Sequence, residues 1–249
     1  MFRTRQQDQT QFIELNHGKV NAMDLEFCEQ LIGQFESARH DQDVSAVVLT
    51  GNGTVFSAGI NLKRWLREGP EYVQPFMLCL EQLFETVFCF PKPVIALIDG
   101  PAIAGGCMLA TACDFRLISS SAKIGILESR LGVPLPMTAI EIVRHVANPS
   151  AFAKIISVGA TFVGDKAVEA GLADVSADSA NLKVRLSESI DEFTAIPSPA
   201  FELTKQQARL PVMRIVQQNK AELLEKYLAI WNSQQTRDSI AAYVQQRLG

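Results

Sequence analysis

The amino-acid sequence predicts an α/β protein in which a mostly parallel sheet carries helices on its faces. In the first half, short apolar segments rich in β-branched residues alternate with longer segments of helical periodicity, and this alternation is typical of parallel sheets. After about residue 135 the pattern becomes helical. The chain has 249 residues, 47% of them hydrophobic and 20% charged, which is enough for one large core or two unequal domains.

Four strands are predicted, at residues 12–15, 46–50, 94–98 and 115–118. Each is a short apolar or β-branched segment, and the second ends in a Gly-Asn-Gly turn. Residues 94–98 contain no polar side chain, which predicts a strand buried on both faces of the sheet.

Helices are predicted at residues 25–35, at about 71–88, and from a small-residue turn at 100–106 to residue 113. In the second half, apolar residues at helical spacing predict helices that include residues 182–193 and 223–231. Proline lacks the backbone N–H that an inner helical turn requires. The prolines that we expect to mark helix boundaries there are Pro197, Pro199 and Pro211.

Composition narrows the classes of function. With 27 acidic and 23 basic residues the formal net charge is −4, which argues against nucleic acid as a partner. The longest apolar stretch, residues 94–113, contains Asp99 and many small residues, so we expect core and no membrane association. No leader segment is recognisable, and five cysteines without Cys-x-x-Cys spacing predict reduced thiols in a cytoplasmic protein.

Several common chemistries lack their motifs. A dinucleotide fingerprint starting at Gly51 fails because Phe56 stands where its third glycine belongs. The sequence contains neither a phosphate-binding loop nor a Gly-x-Ser-x-Gly elbow. The three histidines, His17, His40 and His145, lack metal-ligand spacing, so no metal site is expected.

Two glycine-containing turns follow predicted strands, at residues 56–62 and 102–107. The second opens a helix, where free backbone N–H groups favour negative charge and missing side chains let a ligand approach. Taken singly, each turn is better explained by tight packing of a helix on a strand.

Together with their neighbours, these turns form an ordered set of motifs. The set comprises residues 18–23 (GKVNAM), 57–62 (SAGINL), 99–102 (DGPA), 104–107 (AGGC), 113–116 (CDFR), 125–128 (GILE) and 131–132 (LG). It resembles the crotonase (enoyl-CoA hydratase/isomerase) superfamily. The resemblance implies a crotonase-like ββα spiral core over residues 1–195 and a C-terminal helical trimerisation region over residues 196–249. It also implies a homotrimer or hexamer that acts on a coenzyme A thioester, with no other cofactor and no metal.

The resemblance further implies roles for individual residues. The backbone N–H groups of Ile60 and Gly105 would form an oxyanion hole for the thioester oxygen, and one such donor is worth roughly 10²–10³ in rate. The main chain of the first turn would bind the nucleotide end of coenzyme A; its residues are Ala58, Gly59, Ile60, Asn61 and Leu62. Asn61 stands where the family usually has aspartate. The cations placed near the ribose or phosphates are Lys19, Lys63 and Arg64, each equally well explained as a solvated surface charge.

Hydratases of this family carry two glutamates, and this chain matches only one of the two positions. The first position is Met108 and the second is Glu128, twenty residues later. A thioether cannot accept a proton, but one carboxylate can take a proton from C2 of a 3-enoyl thioester and return it at C4. This arrangement resembles the mitochondrial-type Δ3,Δ2-enoyl-CoA isomerases, and Met108 would line the acyl pocket. The apolar neighbours of Glu128 predict a raised carboxyl pKa.

Two alternatives remain open at this stage. One is enoyl-CoA hydratase or another crotonase-type reaction on an acyl-CoA, because one fold of this kind supports many chemistries. The other is a non-catalytic subunit that binds acyl-CoA.

Overall fold

The computed structural model describes residues 1–247 as two β-sheets surrounded by helices. The strands are β1 (Phe2–Gln7), β2 (Thr10–Leu15), β3 (Ala46–Thr50), β4 (Val94–Ile98), β5 (Ala102–Ile103), β6 (Phe115–Ser119), β7 (Lys123–Gly125), β8 (Thr161–Val163) and β9 (Val175–Ala177). The helices are α1 (Leu25–His40), α2 (Leu62–Arg67), α3 (Pro70–Phe88), α4 (Gly105–Ala112), α5 (Glu128–Leu131), α6 (Met137–Val146), α7 (Pro149–Val158), α8 (Asp165–Glu169), α9 (Ser179–Thr194), α10 (Ser198–Trp231) and α11 (Gln234–Arg247).

The larger sheet has the strand order β1-β2-β3-β4-β6-β9. Only β1 and β2 pair antiparallel, and every other neighbouring pair is parallel. The predicted α/β class and mostly parallel sheet are therefore confirmed, as are all four predicted strands.

Both faces of this sheet are covered, as the apolar sequence of β4 predicts. Along β3, Val47 and Leu49 point into the main core beneath α1, α3 and α4, whereas Val48 joins a second cluster beneath α9. Alternating side chains of one strand thus enter opposite cores, because the side-chain period of a strand is two.

The smaller sheet consists of β5, β7 and β8. Strand β5 pairs parallel with β7, with Ala102 opposite Ile124 and Ile103 opposite Gly125. The β5–β7 pair is short, but the helices α4 and α5 begin directly beyond its carboxyl end.

Two details of the sequence-based prediction are wrong. The region after residue 135 contains the strands β8 and β9; three-residue strands show no readable alternation, and β9 forms because β6 offers it an edge. Pro211 does not mark a boundary but lies inside α10, close to the buried residues Arg209 and Val212. Packing of these side chains on the core holds the helix together across the missing N–H.

The C-terminal helices pack onto the core that the preceding residues build. Near the start of α10, Lys205 Nζ lies 2.6 Å from Asp114 Oδ2, and Arg209 Nη2 lies 2.8 Å from Asp114 Oδ1. Asp114 Oδ2 also accepts a hydrogen bond of 2.8 Å from the Val94 N–H. Burial lowers the pKa of Lys205 to about 8, yet the ion pair compensates much of the cost of burying the charge. This cluster anchors α10.

No helix among residues 1–247 is both long and apolar enough to cross a membrane. Residues 248 and 249, at the end of the expected C-terminal region, lie outside the described residues.

Candidate active site

The two glycine-containing turns lie against each other. Gly59 has φ +85°, and a Cβ at this position would lie 2.7 Å from Ala104 Cβ and 2.9 Å from the Gly105 nitrogen. Only glycine therefore fits here, for its conformation and for the close approach of the second turn. A Cβ on Gly105 would lie 3.9 Å from the Gly59 carbonyl carbon, to which the Ile60 nitrogen is bonded.

The N–H groups of Ile60 and Gly105 are thus neighbours. Within residues 1–247 neither of them donates a hydrogen bond to another part of the chain. Ala104, directly before Gly105, adopts φ +56° and ψ −125°, a conformation that costs on the order of 1–3 kcal/mol in a non-glycine residue. Such strain is common where a backbone group must be aimed at a ligand. The geometry supports the pair as an oxyanion hole.

Hydrogen bonds hold the first turn in place. The Ser57 hydroxyl donates to the Asn21 carbonyl at 2.7 Å and accepts from the Gly59 N–H at 3.1 Å. The Ile103 N–H donates to the Ser57 carbonyl at 2.9 Å, which ties the first turn to β5. The first turn is consequently fixed relative to the second before any ligand binds.

Strand pairing brings Glu128 to the same place. Because Ile103 lies opposite Gly125 in the parallel β5–β7 pair, the segments that follow both strands leave the small sheet at one end. Gly105 is two residues beyond Ile103, and Glu128 is three residues beyond Gly125. The Ala104 N–H donates to the Gly125 carbonyl at 2.8 Å and reinforces this juxtaposition.

Glu128 is a buried carboxyl group with only 4% of its surface exposed. Burial raises its pKa to about 7, although hydrogen bonds from the N–H groups of Glu128 and Leu127 act in the opposite direction. The Leu127 N–H lies 2.9 Å from Glu128 Oε2. Arg130 is directed away, with its Nε donating to the Val158 carbonyl at 3.0 Å. The raised pKa follows from desolvation, as the apolar sequence around Glu128 predicts.

Met108 is buried on α4, one turn after the N-terminus of this helix, and has 2% of its surface exposed. Its neighbour Cys107 is also buried, and burial together with the charge of Glu128 raises the pKa of the Cys107 thiol. Met108 is thus a buried apolar residue of the main core.

The other predicted binding residues lie in the first turn or beside it. Ala58, Lys19 and Lys63 are exposed, whereas Leu62 is half-buried. Asn61 is the N-cap of α2, and its Oδ1 accepts from the Arg64 N–H at 3.1 Å. The cap that aspartate could supply is thus retained by asparagine, since both are good N-cap residues.

Arg64, which the sequence offered as a coenzyme A ligand, is engaged within the protein. Its guanidinium binds the Glu26 carboxylate, lies 3.5 Å from Asp24 Oδ2 and sits 4.8 Å above the Tyr72 ring. His17 Nε2 lies 3.1 Å from the same Asp24 oxygen. Among the described residues, no three His, Cys, Asp or Glu side chains form a cluster suited to a metal ion.

Sequence reasoning missed the contribution of α10 and α3 to this region. The Trp231 Nε1 donates to the Pro134 carbonyl at 3.2 Å, and Pro134 lies in the segment that follows Glu128. One turn earlier on α10, the Tyr227 hydroxyl lies 3.3 Å from Met77 Sδ on α3. The helical spacing of Tyr227 and Trp231 shows a buried face, but it does not show which part of the core that face covers.

The site combines a buried carboxyl group of near-neutral pKa with two N–H donors on adjoining turns, and the pairing of β5 with β7 brings the segments that carry Gly105 and Glu128 to one end of the small sheet. Such a carboxyl group can act both as a base and as an acid near pH 7. The N–H pair can stabilise negative charge that develops on an oxygen.

Comparison with known proteins agrees with this description. A family model described as enoyl-CoA hydratase/isomerase matches residues 5–248. The mitochondrial enoyl-CoA delta isomerase 1 of Homo sapiens is 24% identical over 91% of this chain and 76% of its own length. The 2,3-dehydroadipyl-CoA hydratase of Escherichia coli K12 is 27% identical over 91% of this chain and 88% of its own. The crystal structure of human mitochondrial delta3-delta2-enoyl-CoA isomerase superposes with a TM-score of 0.93, at 21% identity, covering 98% of this chain and 97% of that one.

Proposed function

The chain belongs to the enoyl-CoA hydratase/isomerase family and is an enzyme of the crotonase superfamily, and on that basis we propose that it is an enoyl-CoA isomerase. The reaction moves a double bond of an acyl-CoA from the 3- to the 2-position. The observation that supports this choice is the buried carboxyl group of Glu128, together with a buried methionine at position 108.

In the proposed mechanism Glu128 takes a proton from C2 of the 3-enoyl thioester. The electron pair delocalises onto the thioester oxygen, and the N–H groups of Ile60 and Gly105 hold the resulting charge. The protonated Glu128 then returns its proton at C4, and the product is the conjugated 2-enoyl thioester. A pKa of about 7 suits both steps, because the group must accept and release a proton at similar cost.

Hydration makes a different demand on the site. A water molecule must be activated and a proton delivered to the substrate's α-carbon, which two carboxylates share in the hydratases that this chain resembles. Met108 offers no lone pair that accepts a proton at neutral pH. Its buried thioether is suited to packing against an acyl chain.

We also propose that the coenzyme A portion of the substrate lies along residues 58–62 of the first turn, with Lys19 and Lys63 near its phosphates. No other cofactor is required in this proposal. Both cations are exposed; Lys63 directly follows the turn, and the Ala58 N–H donates to the carbonyl of Val20, the residue after Lys19, at 3.0 Å. Chains are proposed to associate as homotrimers or as paired trimers, and light scattering of the purified protein measures this mass directly.

The test follows absorbance of the conjugated thioester in the near ultraviolet. Purified enzyme is mixed with a 3-enoyl-CoA or, separately, with a 2-enoyl-CoA, and Glu128→Gln is the matched variant. We expect absorbance to rise with the 3-enoyl substrate and the rate to fall by about 10²–10⁴ in the variant, the usual range for general acid–base catalysis.

Two other results would contradict the isomerase assignment. Loss of absorbance from the 2-enoyl substrate would identify a hydratase that works without the second glutamate. Binding of acyl-CoA without turnover, unaffected by Glu128→Gln, would identify a non-catalytic subunit.

A further inference from the structure

A largely aliphatic groove lies between α6 and α10, outside the site described above. This α6–α10 groove is lined by Leu135, Met137, Ile140, Leu224 and Tyr227, and its volume is about 60 Å³. A cavity needs a volume of roughly 10–15 Å³ to hold one water molecule, so the groove has room for about four groups of that size.

Charged side chains also border the groove, because Glu81 and Lys220 line it and Glu85 pairs with Lys220. Lys220 Nζ lies 2.8 Å from Glu85 Oε1 and 3.4 Å from Glu81 Oε2, and the Thr138 hydroxyl lies 2.8 Å from Glu81 Oε2. Leu223, which also lines the groove, is 40% exposed, whereas Tyr227 is 8% exposed. The groove thus leads from the protein interior to solvent, with aliphatic side walls.

Tyr227 lines the groove from α10 and is 8% exposed. Its ring packs one turn from Trp231, with ring centroids 6.2 Å apart, and Trp231 is bonded to the Pro134 carbonyl. The segment that contains Pro134 starts at Glu128, whose own carbonyl accepts from the Val133 N–H at 3.2 Å. Burial, and then the charges of Glu81 and Glu128, raise the pKa of the Tyr227 phenol, so Tyr227 lies within electrostatic reach of the carboxyl group.

The Tyr227 hydroxyl makes little use of its hydrogen-bonding capacity. Its bond within the described residues is to Met77 Sδ, at 3.3 Å, and a thioether is a weak acceptor. The ring is therefore held in place chiefly by packing between α3 and α10. Its bulk, rather than its hydroxyl, is what Tyr227 contributes to the lining of the groove.

We propose that Tyr227 is a specificity-determining residue that forms the end wall of the acyl pocket and limits the enzyme to short acyl chains. The inference rests on the proposed function, since it takes the substrate to be an acyl-CoA bound at Glu128. Removing the ring joins the pocket to the α6–α10 groove, and the alkyl tail of a longer acyl-CoA then occupies that groove.

The experiment compares kcat/KM for 3-hexenoyl-CoA and 3-dodecenoyl-CoA in the wild type, Tyr227→Ala and Tyr227→Phe. Burying one methylene is worth about a fourfold gain in binding, so three methylenes in the opened groove give up to about 60-fold. We expect the ratio of the long to the short substrate to rise at least tenfold in Tyr227→Ala. Tyr227→Phe keeps the ring and should keep the wild-type ratio.

A second variant tests the route itself. Adding Leu224→Phe to Tyr227→Ala refills the groove, and the ratio should return toward the wild-type value. If Tyr227→Ala prevents folding, Tyr227→Leu is used in its place. A wild type that handles both lengths equally, or a ratio that Tyr227→Ala leaves unchanged, overturns the proposal.

Binding separates this inference from the proposed reaction. Calorimetry with saturated hexanoyl-CoA and dodecanoyl-CoA needs no turnover, and the same change in length preference is expected in Tyr227→Ala. If no 3-enoyl-CoA is converted but the chain-length preference in binding changes, the isomerase assignment is wrong and the role proposed for Tyr227 is retained. If conversion occurs and neither measurement shows a change in preference, the end wall fails alone.

Discussion

Replacing Glu128 by glutamine should stabilise the protein at neutral and alkaline pH while it removes the proposed catalytic base. The wild-type carboxyl group has a pKa of about 7 in the folded chain against 4.5 for an unperturbed glutamate. Between these values the unfolded chain ionises while the folded chain keeps its proton. Rising pH therefore destabilises the wild type across this window, by about 1.4 kcal/mol per pH unit.

The size of the effect follows from the two pKa values. Above pH 7 the folded protein holds a buried, ionised Glu128, and the accumulated cost is about 3 kcal/mol relative to acidic conditions. Glutamine has nearly the same shape and can still accept from the Leu127 N–H, but it does not titrate. The free energy of unfolding of Glu128→Gln should therefore gain about 3 kcal/mol over that of the wild type between pH 4.5 and pH 8.

Urea denaturation at a fixed chain concentration, repeated from pH 5 to pH 8.5, measures this difference. Glu169→Gln is the matched control, because Glu169 is exposed on α8 and its replacement leaves the buried carboxyl group in place. If the difference between Glu128→Gln and the wild type is independent of pH, the carboxyl group is not strained by burial, and the argument for a near-neutral acid–base group is wrong.

Three further predictions concern the rate, the turns and the C-terminal helices. The kcat/KM of the wild type should fall tenfold per pH unit below an apparent pKa of about 7, because only ionised Glu128 accepts the C2 proton; a flat acid limb in a pH–rate profile contradicts this. Gly59→Ala should lower kcat by about 10²–10³ by separating the two N–H donors, whereas Gly53→Ala, also at φ +85° but with open space around it, should leave kcat unchanged in steady-state assays. Asp114→Asn should lower the free energy of unfolding by about 3–5 kcal/mol, because two buried cations lose their partner. Lys166→Ala, in an exposed ion pair, should lower it by less than about 1 kcal/mol. Similar denaturation midpoints for the two variants would refute the anchoring role of the Asp114 cluster.

The fold class was readable because its signals are local. The apolar segments at residues 46–50 and 94–98 have the length and composition of buried strands, and they form β3 and β4 with the predicted bounds. Short strands gave no such signal, since β8 and β9 comprise three residues each. Pro211 was misjudged because the rule against proline in helices weighs the lost hydrogen bond but not the packing around it.

The candidate site divides in the same way. The amino-acid sequence specifies which chemical groups are available: glycines where the backbone must approach closely, methionine at position 108, and Glu128 among apolar neighbours. These groups come together only on folding, through the β5–β7 pairing and the close approach of Gly59 to Gly105. Folding also brings Tyr227, about a hundred residues further along, against Met77 and into the lining of the α6–α10 groove. The propensity to form a strand or a helix depends on residues that are neighbours in the sequence. The dielectric surroundings of a carboxyl group and the walls of a pocket depend instead on segments that meet only when the chain folds.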